Sequence, residues 1–368
     1  MCMPGTVTPW EVLGEVDYEK LLKEFGLEKL DDKVLEKLPK PLHIYIERGL
    51  FYAHRDLDKA LETYKETGKL SIVSGRGPSG RMHIGHLIPF EMARWFQETL
   101  GVNVYICISD DEKFCVHREL SLEEVERYAM ENILDILALG FKPGKTFVLR
   151  DFEFTDIYKY ACRASRHITF SMVKAIFGLK EESNIGWIFY PAVQCAHLLI
   201  PQFLSEPHPV IIPIGVDQDP FIRLCRDIAP KLKLVKPSAI LSKFLPGLLN
   251  PRGKMSTTGS EVCIWLTDTY KEIRGKLFKY AFTGGQPTIE EQREKGGNPD
   301  VCVVYMWLEK VFERDSKKIA ERRRKCLSGE LLCGECKEDL AKYISSFLEE
   351  HRKRREKIID QLDKYMLT

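Results

Sequence analysis

Hydrophobic positions recur along this chain with two periods that alternate in a regular order. Leu70-Ser71-Ile72-Val73-Ser74 is a short β-branched run bounded by glycine, the pattern of a buried strand. Beyond the turn Gly75-Arg76-Gly77-Pro78-Ser79-Gly80, the residues Leu87, Phe90, Ala93 and Phe96 repeat near helical period and predict a helix from Gly85 to about Leu100. Val102 to Ser109 reads as the next strand, closed by Asp110. Leu122 to Leu139 places Leu122, Val125, Tyr128, Ala129, Ile133 and Ile136 on one face and stops at Gly140, as a helix does. Lys145 to Leu149 gives another strand, and residues 156–206 read as largely helical. Strand pattern returns from Val210 to Ile214, followed by a helix from Phe221 to Ala229 that ends ahead of Pro230.

Strands alternating with helices predict an α/β, Rossmann-like fold: a parallel sheet with helices on both faces. Residues 1–68 form an N-terminal extension. Trp10, Val12, Val16, Tyr18, Leu21, Leu22 and Phe25 are apolar enough to dock it, and Lys33 to Lys40 and Leu57 to Thr67 read as helices. Packing on the core is its simplest role, with His54-Arg55-Asp56 the stretch to watch. Beyond Asp268 the strands cease, and Tyr270–Phe282, Val301–Arg314, Ser316–Leu327 and Leu340–Met366 predict a charged helical bundle. The expected organisation is therefore an extension at 1–68, a sheet domain at 69–267 with a helical insertion at about 156–206, and a helical domain at 268–368. The last helix is expected to return towards the sheet.

Composition narrows the class. With 368 residues and a net charge of +1, the chain has a sizeable core and no global basic field, so nucleic acid could be held only by local patches. The basic runs Arg322-Arg323-Arg324-Lys325 and Arg352-Lys353-Arg354-Arg355 fit either such a patch or a solvated helix face. Eleven cysteines without regular spacing, and no hydrophobic leader, point to a reduced, cytoplasmic compartment. No apolar run approaches the ~20 residues that span a bilayer, so no membrane role is expected. Cys333-Gly334-Glu335-Cys336, with Cys326 upstream, has metal-like spacing. A second close pair is missing, and no metal site is expected.

The glycine-rich turn carries the chemistry. A strand, a turn and a helix start bearing His83 and His86 make an anion site, because helix N-termini present unpaired N–H groups and glycines admit a close backbone. Gly75, Gly77 and Gly80 also satisfy the dinucleotide spacing G-x-G-x-x-G. That reading fails on its context, since the helix opens late and Asp110 lies too far downstream. His83-Ile84-Gly85-His86 instead resembles the HIGH signature of class I aminoacyl-tRNA synthetases. Gly253-Lys254-Met255-Ser256-Thr257-Thr258 resembles the KMSKS loop of that class, and Gly215-Val216-Asp217-Gln218 its GxDQ nucleotide site.

The resemblance narrows further. Gly75 to Ser79, Asp110-Asp111-Glu112-Lys113, Val216 to Pro220 and Leu266-Thr267-Asp268-Thr269 are similar to the tryptophanyl-tRNA synthetase family in its eukaryotic and archaeal branch. So are Thr8-Pro9-Trp10, Ser165 to Phe170 and Ala281 to Gly285, which extends the likeness over essentially the whole chain.

This resemblance implies ATP with Mg2+, L-tryptophan and tRNA(Trp) as ligands, no DNA, a homodimer, and an anticodon-binding role for the helical bundle. By motif position, His83, His86, Lys254 and Ser256 are catalytic. Gly75, Arg76, Gly77, Gly85, Gly215, Asp217, Met255 and Thr258 hold the nucleotide, with Asp217 on the ribose. Val73, Cys107, Glu112, Lys113, Gln194, His197 and Gln218 surround the amino acid. The branch reads the indole N–H with a Tyr before the turn and a Gln on the second strand, where this chain has Val73 and Cys107. A neutral His197 is expected to accept that hydrogen through one ring nitrogen. A tyrosyl enzyme stays open as a second reading, through Tyr190-Pro191-Ala192-Val193-Gln194, and a non-catalytic paralogue as a third.

Overall fold

The computed structural model describes residues 6–7, 12–13, 16–254 and 260–367. Thr8-Pro9-Trp10 and, from the KMSKS-like loop, Met255, Ser256, Thr257 and Thr258 lie outside them.

Five parallel strands form the centre: β3 (Ser71–Arg76), β4 (Asn103–Ile108), β5 (Thr146–Arg150), β6 (Val210–Gly215) and β7 (Ser238–Ser242). Two more, β1 (Glu28–Lys29) and β2 (Phe51–Arg55), join antiparallel beyond β7, giving the order β1-β2-β7-β6-β3-β4-β5. Residues 1–68 therefore do more than pack on the core, because they supply one edge of the sheet. The first parallel strand sits inside the sheet, and the chain builds outward through β4 and β5 before crossing to β6 and β7.

Each central strand is buried on both faces, and its side chains alternate between two cores. Ile72, Val104, Ile106, Ile108, Val148, Ile211 and Ile240 share one core with α2 (Leu57–Thr67), α3 (Leu87–Leu100), α5 (Leu122–Leu137) and the C-terminal helices. Val73, Tyr105, Cys107, Leu149, Val210, Ile212 and Leu241 share the other with α6 (Asp156–Ser165), α7 (Phe170–Phe177), α8 (Ile185–Leu204) and α9 (Asp219–Ile228). Burying an aliphatic side chain of this size contributes roughly 1.5–3 kcal/mol. A truncation such as Ile106→Ala, at 0% exposure, therefore carries a cost of about 2–5 kcal/mol.

Several boundaries differ from the sequence pattern, each for a local reason. Residues Ile84–His86 form a 3-10 turn, so α3 starts at Leu87 rather than Gly85. The acidic stretch after β4 is itself a helix, α4 (Asp110–Val116). The run 301–314 breaks into α11 (Val303–Trp307) and a π-turn at Leu308–Phe312. The Arg48 guanidinium binds the Glu309 and Glu313 carbonyls at that turn, and Lys310 donates to the Arg48 carbonyl at 2.7 Å. The last long helix, α13 (Cys333–Ile359), starts earlier than its apolar stripe because Glu335 caps it through the Leu332 N–H at 2.8 Å. It ends before Met366 because residues 365–367 leave it and pair with Val148 at the edge of β5. The bundle also contains α10 (Tyr270–Tyr280) and α12 (Ser316–Leu327), with a short helix at Ile289–Lys295 between them.

The α13 helix docks on α5 through its basic run. His351 Nε2 lies 2.8 Å from the Asp135 carbonyl, Arg354 donates to the Ala138 carbonyl at 2.6 Å, and Arg355 faces Glu131 and Asp135. Burial pushes His351 down to about 4, below the unfolded value of about 6.5. Between those values the unfolded chain binds the extra proton, so the contribution of His351 is complete above pH 6.5 and drains as pH falls to about 4. His351→Gln keeps a donor for the Asp135 carbonyl and removes the titration. Its melting temperature, compared with the parent, should therefore rise steadily in relative terms from pH 6.5 down to 4. A constant difference between the two proteins over that range would contradict the assignment.

Candidate active site

At the carboxyl ends of β3 and β6, where the strand order reverses, the sheet leaves a crevice. A cavity of about 330 Å³ occupies it. Its walls include Val73, Gly75, Arg76, Gly77, His83, Gly85, His86, Cys107, Glu112, Lys113, Gln194, His197, Gly215, Asp217, Gln218 and Lys254. Every predicted site residue within the described part of the chain thus faces one space. Met255, Ser256 and Thr258 lie outside the described residues.

The glycines also serve the packing of the turn. A Cβ on Gly75 would stand 2.8 Å from the Cys107 carbonyl oxygen, and one on Gly77 would stand 2.2 Å from Lys113 Cε. They let β4 and α4 close over the turn, so the carbons they lack make room for protein. Arg76 donates to Asn132 at 3.2 Å, and Asn132 donates to the Gly80 carbonyl at 2.9 Å, tying the turn to α5.

The two histidines stack, with centroids 3.5 Å apart. The His83 backbone N–H donates to His86 Nδ1 at 3.1 Å, which leaves the proton of a neutral His86 ring on Nε2. Burial holds His86 well below the usual histidine range and brings His83 down to about 3, with the positive charges of Arg76 and Lys254 adding to both. Both rings are therefore neutral at physiological pH. His83 Nδ1 is buried with no protein partner. The segment after the KMSKS-like loop fixes this turn from below: Leu266 N–H donates to the Met82 carbonyl and Ile84 N–H to the Ile264 carbonyl, at 3.1 and 3.2 Å.

Lys254 ends β9 (Asn250–Lys254), which pairs with β8 (Pro246–Gly247). Its ammonium reaches Asp217 at 2.6 Å and lies over the Phe244 ring. Gly215 leaves space for that carboxylate, since a Cβ there would be 2.7 Å from Asp217 Oδ1. The N-terminal part braces the same wall. Arg55 makes two bonds to Asp219, at 2.6 and 2.8 Å, Asp56 holds Arg226, and Tyr18 accepts the Phe244 N–H at 2.9 Å.

The amino-acid side of the cavity is a buried polar chain. His197 Nε2 is 2.6 Å from Asp151 and its Nδ1 3.2 Å from Gln194 Oε1, while the Tyr190 hydroxyl bridges Gln194 and Ser109 at 2.8 and 3.1 Å. Burial pushes Asp151 well above the carboxylate range and lowers His197 to about 4, so the pair is neutral. Asp111 beside them is raised to about 8 by burial and by Asp151. The expectation that His197 offers a lone pair to the indole therefore needs correction, because both of its ring nitrogens already face protein partners. Glu112 and Lys113 pair with each other at 2.8 Å across the cavity wall.

Sequence reasoning passed over Asp151 and Asp111 as site residues, and used Tyr190 only within the run that keeps a tyrosyl enzyme open. Asp151 was findable, because an acid directly after a central strand stands where α/β folds keep their ligands.

Comparison with known proteins agrees with this geometry. A profile of the class I tRNA synthetases for tryptophan and tyrosine matches residues 65–349. The tryptophan–tRNA ligase of Thermococcus onnurineus is 49% identical over 366 residues, 98% of this chain and 94% of that one. That of Sulfurisphaera tokodaii is 46% identical over 361 residues, 97% and 93% of the two chains. The tryptophanyl-tRNA synthetase structure from Aeropyrum pernix superposes with a TM-score of 0.87 at 32% identity, and that from Giardia lamblia with 0.87 at 33%, each covering 95% of this chain and 96% of the other.

The fold, the crevice and the matched profile define a class I aminoacyl-tRNA synthetase. Within that class the chain belongs to the tryptophanyl-tRNA synthetase family, in its archaeal and eukaryotic branch, and its activity is that of a tryptophan–tRNA ligase.

Neutral histidines make a pH prediction. Since His83 and His197 titrate only near 3 and 4, the KM for tryptophan and the adenylation rate should be flat from about pH 5.5 to about 7. An inflection near 8 belongs to Asp111 and should vanish in Asp111→Asn. A titration near 6.5 that His197→Asn abolishes would show that the histidine charges in the working range.

Proposed function

We propose that the crevice forms tryptophanyl-adenylate with this chain's own groups in the roles that their placement allows. What supports the reading is a single cavity that gathers His83, His86, Asp217 and Lys254 with Val73, Cys107 and Gln194. The tryptophan carboxylate attacks the α-phosphate of ATP in line, and pyrophosphate leaves. Both reacting groups come from substrates, so the protein contributes position and charge rather than a nucleophile. His86 Nε2–H donates to phosphate oxygen from the start of α3. Gln194 and Gln218 take the amino acid's ammonium and carboxylate, and Val73 and Cys107 form the apolar floor under the indole.

Lys254 and Asp217 link nucleotide binding to catalysis. The ribose hydroxyls need the carboxylate that Lys254 holds at 2.6 Å, so nucleotide binding frees the ammonium to follow charge developing on the leaving phosphates. Ser256 and Thr258 add hydroxyl donors from the same loop, and Met255 and Gly85 take nucleotide contacts. Mg2+ supplies charge neutralisation on the triphosphate. A hard cation of this kind would be held chiefly by oxygen ligands.

Transfer to tRNA(Trp) in the cytoplasm completes the reading. No described helix is long and apolar enough to cross a membrane. Most of the 322–325 run is committed within the bundle: Arg322 to Asp339, Arg323 to Asp300, and Arg324 to Glu321 and Glu330. Contact with tRNA rests on the remaining faces of the bundle.

The homodimer belongs to the same proposal and rests on the apolar face of 168–188. Phe170 and Ile185 are exposed, Ile168, Met172, Ile176 and Ile188 are half-covered, and Phe177 is buried within the subunit. A face of this kind is unusual on a monomer. Sedimentation should give a dimer at micromolar concentration, and Ile185→Glu should shift it to monomer. A parent that sediments as a monomer would refute this part.

Pyrophosphate exchange run separately with each amino acid should be driven by tryptophan alone, and exchange driven by tyrosine would favour the sister enzyme. Lys254→Ala should lower the single-turnover adenylation rate by a factor on the order of 10² or more, with the ATP dissociation constant little changed. An unchanged rate would remove Lys254 from the transition state.

A further inference from the structure

The C-terminal bundle contains a site that the ligase reaction does not use. Cys302, Cys326, Cys333 and Cys336 line one small cavity. They arrive from three elements. Cys302 precedes α11, Cys326 lies in the last turn of α12, and Cys333 and Cys336 lie in the first turn of α13. None is in a disulfide. The C-x-x-C pair and Cys326 lacked a fourth ligand in the sequence pattern, and the fold brings Cys302 in to complete the set.

We propose that these four cysteines ligate an iron–sulfur cluster of the [4Fe–4S] type, held apart from the ATP and tryptophan cavity.

Hydrogen-bond donors converge on the sulfurs. The Tyr305 N–H donates to Cys302 Sγ at 3.4 Å, with the N–H groups of Gly284 and Val304 also directed at it. The Gly297 N–H donates to the Cys326 carbonyl at 2.8 Å, and the Arg322 guanidinium stands 3.3 Å from Cys336 Sγ. A neutral thiol is a weak acceptor and gives so many donors little reason to converge, whereas metal-bound sulfur takes N–H donors as its outer shell.

The backbone is cleared around the sulfurs. A Cβ on Gly285 would lie 2.3 Å from Cys333 Sγ, and one on Gly297 would lie 3.0 Å from Cys326 Sγ. The loops carrying these glycines are joined by the Asn298 N–H to Gly284 carbonyl bond at 2.7 Å. Two loops without side chains thus wrap the thiols.

Size selects the group. A structural zinc draws four sulfurs to about 2.3 Å from one point, yet among the described residues no three metal-ligating side chains gather around a single ion. Four cysteines share a cavity wall here without meeting. A cubane asks for that arrangement, because each of its irons takes one thiolate and the sulfurs stand at separate corners. Ligation of a preassembled cluster exchanges four thiol protons for four iron–sulfur bonds and changes no oxidation state. Its place is structural: it ties the start of α13 to the end of α12, and so fixes the basic helix against the rest of the bundle.

The test uses the full chain purified without oxygen. Expected are about four iron and about four acid-labile sulfide per chain, with a broad visible absorption that bleaches on dithionite. Chelation of the iron should lower the melting temperature. Cys302→Ala and Cys333→Ala should each lose most of the iron, while Cys162→Ala, exposed on α6, should keep it. If a variant fails to fold, the parent still decides the matter: metal-free parent given ferrous iron and sulfide should regain the same absorption. One zinc per chain without sulfide would overturn the cluster. Absence of metal together with failed reconstitution would overturn the site, as would a Cys302→Ala protein that retains its iron.

Discussion

Burial of the central strands on both faces is the constraint from which the rest follows. A strand with two buried faces must send alternate residues into two separate cores, and here Ile72 and Val73, or Ile106 and Cys107, part company in that way. The helices that cover the two faces cannot both continue across the point where the chain crosses from β5 to β6, so a gap opens between β3 and β6. The predicted site residues within the described chain line that gap, where strand ends, helix starts and the KMSKS-like hairpin converge. Catalytic geometry in this protein is thus a consequence of sheet order before it is a property of any motif.

Much of this was legible in the chain. The two periods placed β3 to β6 and the helices between them, since burial on both faces leaves a near-continuous apolar run that few other structures produce. The motif residues were legible through turn chemistry and spacing, and the cavity gathers all that lie within the described chain. What stayed hidden depends on distance in sequence. Strand β2, with His54 and Arg55, reads locally as an amphipathic connector. Only pairing with Ser238–Ser242 makes it a strand. Cys302 has no chemical neighbour in sequence, and only the meeting of α11 with α12 and α13 puts it beside three other thiols. The basic run at 322–325 was open to either a nucleic-acid patch or a solvated helix face, because two of its acidic partners, Asp300 and Asp339, lie outside the local window.

The glycines show how one signal can serve two readings. Gly75 and Gly77 were expected to bring backbone close to phosphate. Their missing carbons are instead filled by the Cys107 carbonyl and the Lys113 side chain. The same residues thereby set the floor and rim of the cavity, since β4 and α4 can approach β3 only where no Cβ intervenes.

Neutrality is the common property of the groups around the amino acid. Val73 and Cys107 carry no good acceptor, the Asp151–His197 pair shares its proton without net charge, and Asp111 is raised to about 8. In a buried site an isolated charge would cost several kcal/mol, so a wall of uncharged groups suits an uncharged ring. An indole N–H left unpaired there would forfeit roughly 1–3 kcal/mol. Among the polar groups described on this wall, Gln194 Oε1 has a free direction only if the Tyr190 hydroxyl turns wholly to Ser109, a rearrangement within one 2.8 Å and one 3.1 Å bond. A polar contact to an indole N–H at this wall therefore asks the Tyr190 hydroxyl to turn while the Asp151–His197 pair stays as a brace.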